Sequence, residues 1–241
     1  MLYKIAHVLR DRAPWFWDGI EVINSFLFQM RYGKLLRKVE CEALTAFDES
    51  AKSKGRNDYK AYPMRDITTQ RIVEFFNSQP KEAFKFFNPH GFDKDHISKL
   101  QRNMAFLGYI IIDSETNRIA GYCFNRSFFN GKSFRGRMVD IHHRGRGLGT
   151  MMNRLLNRIG FGIGLKLFET VSKDNIPSYK SAVSASGFKV IKKLPHNELY
   201  LEILNDMKRE NNKPVGGGNK QQVVRLQHLP IVHNGQERRA A

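Results

Sequence analysis

Apolar and polar positions change rhythm several times along this chain, and each change marks an element. In the first 48 residues, Phe16, Ile20, Ile23, Leu27 and Met30 recur at spacings of three and four, so they share one face of a helix. Asp18, Glu21, Asn24 and Gln29 fall elsewhere on it, and Pro14 suits its first turn. The pattern predicts an amphipathic helical extension over 1–48. "ESAKSKGRNDY" (49–59) lacks apolar anchors and reads as a linker. From 60 to 204 strand-like and helix-like stretches alternate. A short strand "YKAYPM" precedes the helices "DITTQRIVEFFNSQ", with Thr68 or Asp66 as its cap, and "FDKDHISKLQRN". "FLGYIIID" and "RIAGYCFNRSFF" are strands by their β-branched and aromatic content, with the turn "DSETN" joining them as a hairpin. "NGK" turns the chain into "SFRGRMVDIH". A glycine-arginine turn then opens a helix with Met151 or Met152, Leu155 and Ile159 inside and Asn153, Arg154, Asn157 and Arg158 facing away. The strand "KLFETVS", the helix "IPSYKSAVSAS" and the strands "GFKVIKKL" and "NELYLEIL" follow, which makes an α/β (α+β) domain. Residues 205–241, with "NNKPVGGGNKQQ", read as a flexible basic tail, in which "VVRLQHLPIV" is too short to fold alone.

Composition sharpens this picture. A chain of 241 residues with 41% hydrophobic residues suits one well-filled domain with attachments. Its net charge of +17 calls for an anionic partner: nucleic acid, anionic lipid or a phosphorylated small molecule. Eight Lys and Arg but one acid, Asp140, lie between Lys132 and Lys166, so much of the excess surrounds the glycine-arginine turn. Zinc-finger spacing, an RNP-like aromatic motif and a recognition-helix signature are all missing, which sets nucleic acid aside. Two distant cysteines, Cys41 and Cys123, form neither a disulfide framework nor a metal site and fit a reducing cytoplasm. No run of about 18 apolar residues and no secretory leader are visible, so the expectation is a cytoplasmic protein. The N-terminal helix offers peripheral contact with the inner membrane surface. Trp15, Trp17 and the basic "RYGKLLRK" resemble an interfacial helix, while Asp18 and Glu21 count against anionic lipid. The simpler expectation is that this helix packs on its own domain or, in a homodimer, on a partner subunit.

The turn itself, "VDIHHRGRGLGT", carries the chemistry. Gly145, Gly147 and Gly149 remove Cβ atoms at alternate positions, which lets the backbone curl so that several N–H groups share one concavity. The following helix N-terminus adds free amides and partial positive charge, and Arg144 and Arg146 add forks suited to phosphate oxygens. Together these make a diphosphate receptor. The spacing G-x-G-x-G is not the dinucleotide fingerprint, and Leu148–Gly149–Thr150 stands where a P-loop needs Lys followed by Ser or Thr.

Arg144, Gly147 and Gly149 instead match R-x-x-G-x-G, which resembles the acetyl-CoA signature of the GNAT superfamily of acyl-CoA N-acyltransferases. Downstream, Asn175 and the pair Gly187–Phe188 in "VSKDNIPSYKSAVSASGFKVI" resemble its second signature, and "MRDITTQRI" its opening strand and helix. The resemblance covers 60–204. It implies a mixed, mostly antiparallel central sheet flanked by helices, acetyl-CoA as co-substrate and no metal. It also implies a coenzyme site made of Val139, Ile141, Arg144, Gly145, Arg146, Gly147, Leu148, Gly149, Thr150 and Asn175. There, Val139 and Ile141 would lie beside the pantetheine arm.

The implied reaction is direct transfer of an acetyl group to a primary amine. Its candidate catalytic groups are the Val139 amide as oxyanion donor, His90 or Glu169 as base, and Tyr179 as thiolate acid. Asp140, His142 and His143 are further candidates near the strand end. The position where many family members carry the acid tyrosine is Val183 here, with Tyr179 one turn earlier. Neither cysteine has a placed His partner, which argues against a covalent intermediate. Resemblance to members linked to surface polysaccharide points to a nucleotide amino sugar or other small anionic acceptor. A protein N-terminus, a lipid-linked amine, or a non-catalytic binding role on this scaffold are the alternatives.

Overall fold

The computed structural model describes residues 14–52 and 59–205. Helix α1 (Pro14–Lys52) leads into strand β1 (Tyr59–Pro63) and then helices α2 (Thr69–Asn77) and α3 (Lys94–Arg102). Strands β2 (Phe106–Asp113), β3 (Arg118–Ser127) and β4 (Lys132–Val139) come next, then α4 (Leu148–Gly162) and β5 (Lys166–Ser172). Helix α5 (Ile176–Ala185) and strands β6 (Phe188–Leu194) and β7 (Glu198–Ile203) complete the order. The described strands form one sheet in the order β1-β2-β3-β4-β5-β7-β6, antiparallel except where β4 meets β5. The mixed, mostly antiparallel α/β architecture expected from the sequence is present.

Each face of the sheet carries its own core. On one, α1, α4 and the strands bury Phe28, Leu36, Leu107, Tyr109, Met152, Leu156 and Leu201. On the other, α2, α3 and the segment between them cover Ile110, Tyr122, Phe124 and Met138 with Ile72, Phe76 and Ile97. Alternation along β3 supplies both, since Cys123 faces the first core while Tyr122 and Phe124 face the second.

Three expectations need correction. The helix expected over 1–48 continues to Lys52, so the expected linker at 49–59 is helical in its first four residues. Ala51, buried, extends the inward row Phe28, Tyr32, Leu36, Ala43 and Phe47, which explains the extra turn. Residues 1–13, 53–58 and the tail beyond 205 lie outside the described residues. Secondly, the apolar row read from the sequence points outward: Ile20, Ile23, Leu27 and Met30 are exposed. The N-terminal half of α1 crosses the ends of other elements, which offer unpaired polar groups in place of apolar surface. Asn24 Nδ2 donates to the Ser127 carbonyl at 3.1 Å, and Asn24 Oδ1 accepts from the Phe129 amide at 3.0 Å. The Met104 amide donates to Ser25 Oγ at 2.8 Å. Thirdly, Asn153 and Asn157 are buried, leaving Arg154 and Arg158 as the outward residues of that quartet. Helix α5 covers that side of α4. Asn153 Nδ2 donates to the Ser181 carbonyl at 3.1 Å and Asn157 Nδ2 to Ser186 Oγ at 3.1 Å.

Candidate functional site

Strands β4 and β5 pair in parallel only at Lys132–Lys166, Ser133–Leu167 and Phe134–Phe168, and then part. In the β3–β4 ladder the Phe128 amide donates to Lys132 O and the Asp140 amide to Ala120 O, both at 2.9 Å. Antiparallel pairing alternates, so even-numbered β4 residues bond β3 and odd-numbered ones point their amides at β5. The N–H groups of Arg137 and Val139 therefore face the gap where the strands have separated.

The gap opens toward the glycine-arginine turn. Asp140 accepts from the His142 amide at 3.0 Å, which folds Ile141–His143 into a 3-10 turn. Ile141 is thus neither extended nor part of β4, and its expected place beside the strand goes with that. Gly145 and Gly147 adopt φ of 75° and 78°, left-handed conformations that disfavour a side chain. Nothing lies within 4 Å of where a Gly145 Cβ would be. Helix α4 starts without a side-chain cap. The Thr150 and Met151 amides bond the Gly147 carbonyl at 3.1 and 3.2 Å, while those of Leu148 and Gly149 find no acceptor among the described residues. Leu148 buries its side chain, so its amide is what it offers. A Cβ on Gly149 would sit 3.5 Å from Ser181 and 3.8 Å from Val139 Cγ2, so loop, strand and α5 converge here. Arg144 is exposed, and the Arg146 guanidinium lies beside the Tyr59 hydroxyl.

His143 anchors the turn from below. Its Nδ1 lies 2.8 Å from Asp140 Oδ1 and its Nε2 3.2 Å from Asp113 Oδ2, while Tyr59 packs edge-on at 5.9 Å. Gln79 Nε2 donates to Asp140 Oδ2 at 2.8 Å. Burial alone would raise the Asp140 pKa, but bonds from Gln79, His143 and the His142 amide outweigh it and hold the carboxyl below its usual range. The turn is thereby tied to β1, β2 and the end of α2.

Beneath the gap lies a buried charge network. Arg135 Nε donates to Glu169 Oε2 at 2.7 Å and Arg137 Nη1 to Glu169 Oε1 at 2.5 Å. Arg135 also bonds Asn157 Oδ1, and Arg137 reaches α5 at Ser178 O (2.8 Å) and Ser181 Oγ (2.7 Å). Burial pushes the Glu169 pKa up, yet the guanidiniums of Arg137 and Arg135 outweigh that and hold it down. Both carboxylate oxygens are engaged, so Glu169 is not the free base the sequence offered. Two guanidiniums against one carboxylate leave surplus positive charge under the gap, and Arg135 Nη2 has no hydrogen-bond partner among the described residues.

The other candidates are scattered. His90 lies on the opposite face among Phe76, Phe92, Phe106 and Phe124. Its Nδ1 is 2.8 Å from the Gly91 carbonyl, so Nδ1 donates and Nε2 accepts the Tyr122 hydroxyl, also at 2.8 Å. Burial lowers its pKa to about 4. Its lone pair is taken, which removes the expected base. Tyr179 is half-buried on α5 with its ring edge-on to Phe188. Asn175 caps α5, its Oδ1 accepting from the Ser178 amide at 3.3 Å. Cys41 is exposed, and burial pushes the Cys123 thiol pKa far up. Among the described residues no group of His, Cys, Asp or Glu could hold a metal. Arg135 and Arg137 were missing from the sequence-based set. Their signal was Ser-x-Arg-x-Arg on one face of a strand, with an acid at matching phase in "KLFETVS".

No family model and no curated protein matches the sequence. Solved structures do. The GNAT domain of S. lividans PAT is 15% identical, with 60% of this chain and 89% of that one covered and a TM-score of 0.50. A spermidine N-acetyltransferase SpeG chimera from Vibrio cholerae and hSSAT is 15% identical over 64% of this chain and 99% of that one, with a TM-score of 0.51. The likeness is one of fold: the described residues share the fold of these GNAT structures.

Proposed function

We propose that the protein transfers an acetyl group from acetyl-CoA directly to a primary amine of a small anionic acceptor such as a nucleotide amino sugar. One observation carries this reading. An uncapped helix start behind two left-handed glycines opens onto the mouth of the β4–β5 gap. Free amides of Leu148 and Gly149, with Arg144, suit a pyrophosphate there, since helix N-termini and arginine forks favour phosphate oxygens. The gap leads from that mouth to the Val139 and Arg137 amides, which can receive the carbonyl oxygen as it gains charge. The coenzyme supplies the acetyl thioester and a thiolate leaving group.

The amine nitrogen attacks the carbonyl carbon, the carbon–sulfur bond breaks, and the amine's proton passes to water, because Glu169 is buried and held ionised by two guanidiniums and the His90 lone pair is occupied. Surplus positive charge from Arg135 and Arg137 favours the departing thiolate, so no tyrosine acid is required. The basic surroundings, with Lys and Arg well in excess of acids in the chain, draw an anionic acceptor. Gly147→Glu, which places a carboxylate in the anion cradle at a left-handed position, should abolish acetyl-CoA binding in a calorimeter. Wild-type protein should melt higher with millimolar acetyl-CoA and release free thiol with one class in a panel of amino sugars, amines and peptides. No melting shift in the wild type, or micromolar affinity kept in the variant, overturns the reading.

A further inference from the structure

The N-terminal half of α1 is turned inside out. Val22, Ile23, Phe26 and Met30 are 68, 61, 65 and 71% exposed, and they form one row along the helix. A soluble surface seldom leaves so large an apolar row open without a contact to make there. At 3.6 residues per turn, the same outward face continues into Arg37, with Lys34 and Lys38 along one flank of it, all exposed. The acids that would repel an anionic surface are neutralised from the side. Lys99 Nζ pairs with Asp18 at 3.1 Å, and Arg126 pairs with Glu21. Bonds from Asn24 and Ser25 hold the polar side of the helix against the domain, so the apolar row forms the outer surface.

We propose that this face seats the protein on an anionic lipid surface. Val22, Ile23, Phe26 and Met30 enter the boundary between headgroups and acyl chains, and Lys34, Arg37 and Lys38 meet the headgroups. Charge selects this occupant over a second copy of the chain. Net charge of +17 opposes self-association, whereas each of the three cations gains against an anionic bilayer. No described helix is long and apolar enough to cross a membrane, which agrees with a helix lying in the interface.

The test is flotation of the full chain with phosphatidylcholine vesicles, with and without phosphatidylglycerol, read without coenzyme so that it stands apart from catalysis. Wild-type protein should float with the phosphatidylglycerol vesicles and dissociate as salt is raised. The double variant Phe26→Asp/Met30→Asp should lower the bound fraction at least about tenfold, since binding scales with the apolar area inserted. Both side chains are exposed, so its melting temperature should not change. Failure of the wild type to float, or equal flotation of the variant, overturns the proposal. So does sedimentation showing a dimer that the variant converts to monomer, because the face would then belong to a second copy.

Discussion

The two faces of the sheet at β4 are built from opposite materials. Toward α4 and α5 lie Arg135, Arg137, Glu169, Asn153 and Asn157, joined by directed bonds. Toward α2 and α3 lie stacked and edge-on rings, with one imidazole among them and its lone pair occupied. Ring packing relaxes in part around a vacancy as neighbours shift. A buried charge network does not, since each member is there only because the others offset its desolvation. The face that carries the β4–β5 gap is therefore the more brittle one.

Glu169→Ala attacks that difference most directly. It leaves two buried guanidiniums without their anion, and such a loss costs about 3–5 kcal/mol. Chemical denaturation should show it, and a smaller loss than for Phe92→Ala on the opposite face would break the contrast. His90 tests the aromatic side. Its folded pKa of about 4 lies below its ordinary 6.5, so the unfolded chain takes up the proton first as pH falls. Stability from neutral His90 is complete above pH 6.5 and is lost progressively down to about pH 4, by roughly 3 kcal/mol in all. In His90→Gln, unfolding midpoints should fall less steeply across that window, and an unchanged slope would refute the assignment. His143→Gln keeps a donor but breaks one of the two carboxylate ties beneath the turn. Acetyl-CoA affinity should drop about tenfold, or 1.4 kcal/mol, with a smaller stability change than Glu169→Ala. Asn175→Ala should act least, costing about 1 kcal/mol as a lost helix cap. A large loss of coenzyme affinity there would return Asn175 to the binding site.

What could be read from the sequence follows the reach of its signals. Strands β2 and β5 lie where "FLGYIIID" and "KLFETVS" put them, because β-branched and aromatic runs bounded by turns report a local preference. The glycine turn was legible for the same reason. Periodicity on α1 grouped Ile20, Ile23, Leu27 and Met30 correctly but could not say which face the domain would take. That choice is made by Ser127, Phe129 and Met104, about 80 to 105 residues away. Asn153 and Asn157 were assigned outward because amides usually are. Their burial rests on partners from α5 that no local window contains. Val139 ends β4 beside the gap, whereas Ile141 falls in a three-residue turn set by the Asp140 side chain.

The parallel seam between β4 and β5 is three residue pairs long. Along it, main-chain bonds join the two halves of the sheet into one plate. Above it, only the tips of guanidinium and carboxylate groups reach across. A guest between the halves would thus meet side chains rather than ladder bonds above the seam, and could leave every rung of the ladder intact.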